Sequence, residues 1–473
     1  MQDINREETK QNIENWFNAH SEDMMGDLGR LVGINSIKGA AEEGAPYGAE
    51  SREALSLAKS MLETRGFAVS DFEDIMITAD LGPSPPLMGI LAHLDIVAAG
   101  DGWETDPFEM VVKEGKIFGR GVIDDKGPAV AAMYAMYCAR ELCPELKSGV
   151  RLILGSGEET GLEDITQYLS KNEPPPHVFS PDSHYPMINI EKGRFAQFFS
   201  ASWEKEPSLP RVVAITGGKT MNVVPNRTEA VIEGMLISEA EAFCREYSEK
   251  TGASISVAAD GDKLAVIAEG AATHASTPHL GVNSQTALLE MLAAMPFAEG
   301  AGFGYIRALN RLIPHGDWNG KALGIAMSDE ISGELTVNFG VLNYTDTGFS
   351  GNFDSRTPIC ADDKDLAGLT QAAFLRESIE VTESTVSKSH HTPEESPFVQ
   401  TLLRIYEEYT GNIGKCETGG GSTYVHDIPG GVAFGCAFPG VDYYAHGANE
   451  FIEVEQLIVS ARMFAQAIID MCG

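Results

Sequence analysis

Between residues 87 and 182 short apolar runs alternate with helical stretches: "LMGILAHLD", "PAVAAMYAMYCARELC", "GVRLILGSGEE", "LEDITQYLSKN" and "HVFSPD". Such alternation restricts the chain to an α/β arrangement and predicts a mostly parallel central sheet with helices on its faces, because parallel strands need crossover connections. Residues 5–32 and 51–65 carry apolar positions at helical spacing, among them Ile13, Trp16, Phe17, Leu28 and Leu31, then Leu55 and Leu62, and read as amphipathic helices. After about residue 187 the pattern changes. Strand-like pieces such as "GRFAQFFSASW", "KLAVIAEG" and "ELTVNFGVLNY" are interspersed with helical candidates at 238–250, 283–296 and 362–376. From about residue 391 a helix, a Gly-rich loop, a strand and a last helix follow, ending in "EVEQLIVSARMFAQAIIDMC". The expectation is a first domain of residues 1–188 and 391–473, interrupted by an inserted α+β domain over 189–390.

Sites in open α/β sheets form at the carboxyl ends of strands. Here those endings carry His93 with Asp95, Asp124 with Asp125, Glu158 with Glu159, and Asp182. Carboxylates gathered in one crevice repel one another unless a cation neutralises them, so a metal is the economical reading. Carboxylate with some imidazole suits Zn²⁺, Mn²⁺ or Co²⁺. The ligands are too many for one tetrahedral ion, and two divalent ions sharing a bridging carboxylate would use them all. His93 and Asp95, two apart on an extended segment, share a face, which lets Asp95 fix the imidazole tautomer. Adjacent Glu158 and Glu159 point different ways, so one can ligate while the other acts as general base. A further imidazole is offered by His446 in "DYYAHGANE".

Composition narrows the substrate. At 473 residues with 43% hydrophobic content the chain can bury a large core. Its 69 Asp and Glu against 34 Lys and Arg give a net charge of −35, which repels nucleic acid and anionic membranes and favours a small-molecule substrate. The seven cysteines show no paired zinc-ligand spacing and read as reduced thiols. The opening "MQDINREETKQNIENWF" lacks a signal-peptide pattern, and no apolar run approaches the ~20 residues of a membrane span, so a cytoplasmic enzyme is expected.

The ordered segments "HLDIVAAGDGWETDPF", "GRGVIDDKGP", "GSGEETG", "SPDSHYP" and "HGANE" resemble the zinc aminopeptidase-fold family of carboxypeptidase G, aminoacylase, succinyl-diaminopimelate desuccinylase and carnosinase. Within it the chain is most similar to the carnosinase-like Xaa-His dipeptidase (dipeptidase V) branch. The resemblance implies that His93, Asp124 and Asp182 bind one metal ion, and that Asp124, Glu159 and His446 bind the other, with Asp124 bridging. It implies Asp95 as the residue orienting His93, Glu158 as general base, and a cis Asp124–Asp125 peptide. In the inserted lid it implies that His274 of "ATHAS" polarises the scissile carbonyl, while Asn222 of "MNVVPN" and Arg356 of "DSRTP" grip the substrate carboxylate. Backbone amides of "TGGGST", around Gly420, Gly421 and Ser422, are candidates to cup that carboxylate; the stretch lacks the ending of a P-loop.

Two departures stand out. Ala98 sits where many relatives have proline, and His426 of "STYVH" stands where the bacterial dipeptidases tend to read arginine, which bears on substrate preference. The expected function is hydrolysis of short unblocked dipeptides at a dinuclear centre, Zn²⁺ first, by a monomer. The rival readings are an N-acyl amino acid deacylase or desuccinylase of the same family, and a catalytically silent metal-binding descendant.

Overall fold

The computed structural model describes residues 2–473. Two compact units emerge, one built from the chain up to Glu191 together with His390–Gly473, the other from Lys192–Ser389. The first crossing falls after Glu191 because Ile188–Glu191 is itself a strand of the first unit's sheet.

In that sheet the strands lie in the order Val69–Phe72, Met76–Leu81, Gly149–Gly155, Pro86–His93, His177–Ser180, Val432–Ala433, Ile188–Glu191 and His390–His391, with Glu417–Gly419 also pairing to Ile188–Glu191. Its middle, from Gly149–Gly155 to Val432–Ala433, is parallel. The flanks are antiparallel, apart from Glu417–Gly419, which pairs with Ile188–Glu191 in parallel. One flank is a hairpin turned through Glu73 and Asp74, both left-handed at φ 51° and 62°, a connection too short for the crossover a parallel partner needs.

Alternation along the strands divides their side chains between two apolar layers. Val150, Leu152 and Leu154 join the core that holds Phe17, Leu28, Tyr134 and Phe464, whereas Ile153 joins a smaller core with Tyr168, Val178 and Tyr424. The helix Lys126–Leu142 is buried continuously from Lys126 to Ala139. Its many alanines allow close approach to neighbouring helices. The Lys126 ammonium, fully buried, donates to the carbonyls of Leu31 (2.9 Å) and Ile34 (2.6 Å) at the end of the helix Gln2–Val32. Burial pulls the pKa of this side chain down to about 7, and its N–H groups are satisfied by two carbonyls that also accept the backbone N–H groups of Ile34 and Ser36.

The second unit is an eight-stranded sheet in the order Ser254–Asp260, Lys263–Glu269, Arg227–Glu233, Arg211–Gly217, Thr336–Tyr344, Gly348–Thr357, Gly193–Ser202 and Glu380–Ser387. Every pairing is antiparallel. Helices Ile237–Thr251, Ser284–Ala294, Ala301–Leu312 and Leu366–Arg376 contribute to one shared core with these strands. Asn283 caps Ser284–Ala294 by accepting from the backbone N–H groups of Gln285 and Thr286.

Candidate metal centre

Three neighbouring parallel strands bring their carboxyl ends together. Pro86–His93 ends in His93, Gly149–Gly155 leads into Glu158 and Glu159, and His177–Ser180 leads to Asp182. Asp124 stands two residues before the helix Lys126–Leu142 and is joined to Asp125 by a cis peptide bond. His446, itself left-handed at φ 62°, comes from the loop before the strand Phe451–Glu453.

All six side chains meet. His93 Nε2 lies 3.1 Å from Asp124 Oδ1 and 3.6 Å from Asp182 Oδ2. The other Asp124 oxygen lies 2.9 Å from His446 Nε2, which is also 3.1 Å from Glu159 Oε1. Donor atoms of His93, Asp124 and Glu159 fall within 4.8 Å of one another, as do those of His93, Glu158 and Asp182. Asp124 thus presents one oxygen to each imidazole.

The electrostatics show how uncomfortable this cluster is without a cation. Burial, with the Asp182 charge, pushes Glu158 well above the usual carboxylate range; burial likewise raises Asp182, helped by Asp124, and raises Glu159 against the bond from His446. Asp124 stays low despite its burial because His446 and His93 bond to it. Those bonds to Asp124 and Glu159 lift His446 to about 11. Four carboxylates and two imidazoles, with protons standing in for positive charge, are a donor set that fits divalent cations of the Zn²⁺ and Mn²⁺ type.

The supporting contacts differ from what spacing suggests. His93 Nδ1 is 3.0 Å from the backbone oxygen of Asp95 and 3.4 Å from its carboxylate. The Asp95 carboxylate also accepts the backbone N–H groups of Glu158 (3.3 Å) and Glu159 (3.1 Å), so one side chain serves both neighbours. Asp164 and Tyr424 were not anticipated as site residues. Buried Asp164 accepts from Ser156 N (2.8 Å), Gly157 N (2.9 Å) and the Tyr424 hydroxyl (2.5 Å), and the Tyr424 ring meets His93 edge to face at 6.2 Å. The only sequence signal for Tyr424 was its place in "STYVH".

In that segment His426 is nearly buried, with Nδ1 3.0 Å from Glu191 Oε2. Glu191 also accepts from Thr423 through both N–H and hydroxyl, so a carboxylate of the chain itself binds beside Gly420, Gly421 and Ser422. In the second unit Asn222 and His274 belong to adjoining segments: Ala275 N donates to Asn222 O at 2.8 Å, and Val223 bridges to His274. His274 is exposed, with Nδ1 2.7 Å from Ser276 Oγ. Arg356 is buried on the strand Gly348–Thr357, its Nε donating to Asp354 at 3.2 Å, and its backbone N donates to Thr336 Oγ1, which in turn donates to Ala275 O. The second unit therefore gathers Asn222, His274 and Arg356 within one connected group of segments.

The model of peptidase family M20/M25/M40 matches residues 89–470, a span that contains every residue of the cluster. This chain belongs to that family. Among its M20 relatives, putative dipeptidase YtjP of Bacillus subtilis (strain 168) is 32% identical over 455 residues, covering 95% of this chain and 97% of that protein. The Beta-Ala-Xaa dipeptidase of Lactobacillus delbrueckii subsp. lactis is 32% identical over 467 residues, covering 97% and 98%. Among solved structures, human carnosine dipeptidase 1 is similar at a TM-score of 0.56 and 15% identity over 98% of both chains, a likeness of fold. As an M20 peptidase the chain is a hydrolase, and its cluster lies where the fold collects the ends of parallel strands.

Proposed function

We propose that this M20 peptidase is a metal-dependent dipeptidase that splits short unblocked dipeptides. The observation that carries the reading is the placing of Asp124 between His93 and His446, one carboxylate oxygen toward each. The two relatives covering nearly the whole chain, named as dipeptidases, support it. In this reading His93, Asp124 and Asp182 hold one divalent ion and Asp124, Glu159 and His446 the other, with Zn²⁺ first and Mn²⁺ or Co²⁺ sharing the same donors. Ions bound there supply Lewis-acid polarisation of the scissile carbonyl and a lowered pKa for water.

The chain's own residues do the remainder. The Glu158 carboxylate, which ligates neither ion in this reading, takes a proton from the attacking water and passes it to the departing amine nitrogen. Asp95 holds the Glu158 and Glu159 backbone N–H groups and the His93 ring, which keeps base and ligands in mutual register. His274 serves as donor to the developing oxyanion, and Asn222 and Arg356 hold the substrate carboxylate, three assignments that rest on the sequence resemblance; the backbone amides around Gly420, Gly421 and Ser422 are assigned to the same carboxylate from their Gly-rich loop. A reducing compartment, the cytoplasm, suits seven free thiols, and a monomer is the expected state, checked by light scattering.

The test is amino acid release by protein stripped of metal and reloaded with Zn²⁺ or Mn²⁺, from free dipeptides including β-alanyl-histidine, set beside N-acetyl and N-succinyl amino acids. Cleavage of the free dipeptides alone is expected, with kcat falling roughly 10²- to 10⁴-fold in Glu158→Gln while bound metal stays at the wild-type amount. Cleavage of the acylated compounds alone overturns the dipeptidase reading in favour of a deacylase, and metal binding without any cleavage makes the chain a silent descendant.

A further inference from the structure

Arg120 and Glu450 ligate nothing in the scheme above, yet they form a wholly buried ion pair, 1% and 0% exposed, with Arg120 Nη1 2.5 Å from Glu450 Oε2. Burying two opposite charges costs desolvation that their attraction often fails to recover, so such a pair is a weak source of stability, and its use has to be sought in what it holds in place.

What it holds is specific. The second Glu450 oxygen accepts the backbone N–H groups of Gly121 (3.0 Å), Ile123 (3.0 Å) and Asp124 (3.4 Å), the stretch that delivers the bridging carboxylate. Arg120 Nη2 donates to the carbonyl of Gly447, next to His446, at 3.0 Å, and lies 3.3 Å from Ala99 O and 3.5 Å from Ala98 O. The guanidinium lies over the Trp103 ring at 5.3 Å, and the Trp103 indole N–H itself donates to Ala99 O at 2.8 Å. The loop at Ala98 and Ala99 is thus tied down through its carbonyls.

The stems of the two loops are paired as well. Strand Phe451–Glu453 runs antiparallel to Lys116–Phe118 with Phe451 opposite Phe118, and Gly119 N donates to Glu450 O at 3.2 Å. Arg120 and Glu450 are therefore the first side chains beyond a short ladder. Past it, Tyr444, His446 and Asn449 all adopt left-handed backbone at φ 55°, 62° and 61°. Side chains in that region persist only where their surroundings over-determine the conformation, and here Arg120 on Gly447 O supplies such a constraint. On the far side of the cluster the anchors are different: His93 N donates to Asp125 Oδ2 at 3.0 Å, and Asp182 N donates to Ser180 Oγ at 3.3 Å.

We infer that Arg120 and Glu450 are a positioning pair for the subsite formed by Asp124, Glu159 and His446, and that they set its cation affinity apart from that of the His93 and Asp182 side. The inference rests on the two-ion reading proposed above. Outer partners of this kind are worth roughly 10- to 100-fold in metal affinity when lost. Arg120→Lys replaces a planar fork with a point charge that cannot meet Glu450 and Gly447 O together, and Glu450→Gln turns an amide N–H toward the guanidinium.

The experiment is titration of metal-stripped wild type, Arg120→Lys and Glu450→Gln with Co²⁺, followed by visible absorption and calorimetry, with circular dichroism and Tm on each. Wild type should take up two ions. Each folded variant should keep one site within about twofold of wild type and weaken the other roughly 10- to 100-fold, with kcat recovering as added Co²⁺ refills it. Equal weakening of both sites, or two wild-type affinities in a folded variant, overturns the inference. Should either variant fail to fold, Trp103→Phe, which removes the indole bond to Ala99 O and thins the ring under Arg120, carries the same test: the same one-sided loss, smaller in size, supports the pair's role, and symmetric loss or none overturns it. A wild-type chain that takes up one ion or none is a failure of the two-ion reading instead, and is told apart by being visible before any substitution is made.

Discussion

His446 carries a proton at neutral pH in the cation-free protein, because its bonds to Asp124 and Glu159 raise its pKa to about 11. Only the neutral imidazole can ligate, so cation uptake must drive that proton off, and affinity rises with pH across the neutral range. Calorimetry of Zn²⁺ binding at pH 7.5 in two buffers of different ionisation enthalpy should show net proton release; equal heats in both buffers would mean the imidazole was already neutral. At this scale the sequence was informative where chemistry is unusual. A histidine and paired acids at the ends of apolar runs have no use in a core, so the residues that meet in the cluster could be singled out. Asp95 was harder, since spacing of two puts it beside His93 without saying whether carbonyl or carboxylate does the holding, and here both approach the ring. Arg120 and Glu450 lie inside the quoted segments "GRGVIDDKGP" and "HGANE", yet nothing local marks a pair 330 positions apart as buried or as bonded to each other, because charged residues in a chain this acidic are normally solvated.

The segment Ser156–Gly157 hangs from one carboxylate. Removing the Tyr424 hydroxyl by Tyr424→Phe leaves buried Asp164 with its backbone donors but without its shortest bond, and should cost the first unit about 1–3 kcal/mol in urea unfolding, with the ring still packed against His93. A stability equal to wild type would show that Asp164 finds another donor. Periodicity made the long elements readable: Gln2–Val32, Ala49–Thr64, Ile237–Thr251, Ser284–Ala294 and Leu366–Arg376 all coincide with stretches of helical spacing. Two kinds of element escaped it. The helix Ala301–Leu312 carries Gly302 and Gly304, whose low helix propensity masks the buried stripe of Phe303, Ile306 and Leu309. The antiparallel flank at 69–81 pairs a polar, half-exposed strand, Val69–Phe72, with a mostly buried one, Met76–Leu81, through a turn that lacks glycine, so neither alternation nor turn chemistry announced it.

For the whole molecule, every proposed cation ligand belongs to one of the two units. A ligand that binds the folded state alone stabilises it by about 2.7 kcal/mol at a hundred times its Kd. Hydrogen exchange with and without Zn²⁺ should therefore show added protection at 119–125, 156–159 and 444–450 and little change across 192–389; protection spread evenly over both units would mean that the cation couples them. The chain leaves the first unit after Glu191 and returns at His390, and these two residues sit opposite each other as antiparallel neighbours. Whatever length of polypeptide is spliced between them, the ends it must join are already hydrogen-bonded to one another, so the entropy of closing that loop grows only slowly with its length. In evolutionary terms that makes the junction a permissive port, at which the intervening sequence can lengthen, shorten or diverge while the ligand-bearing strands keep their register.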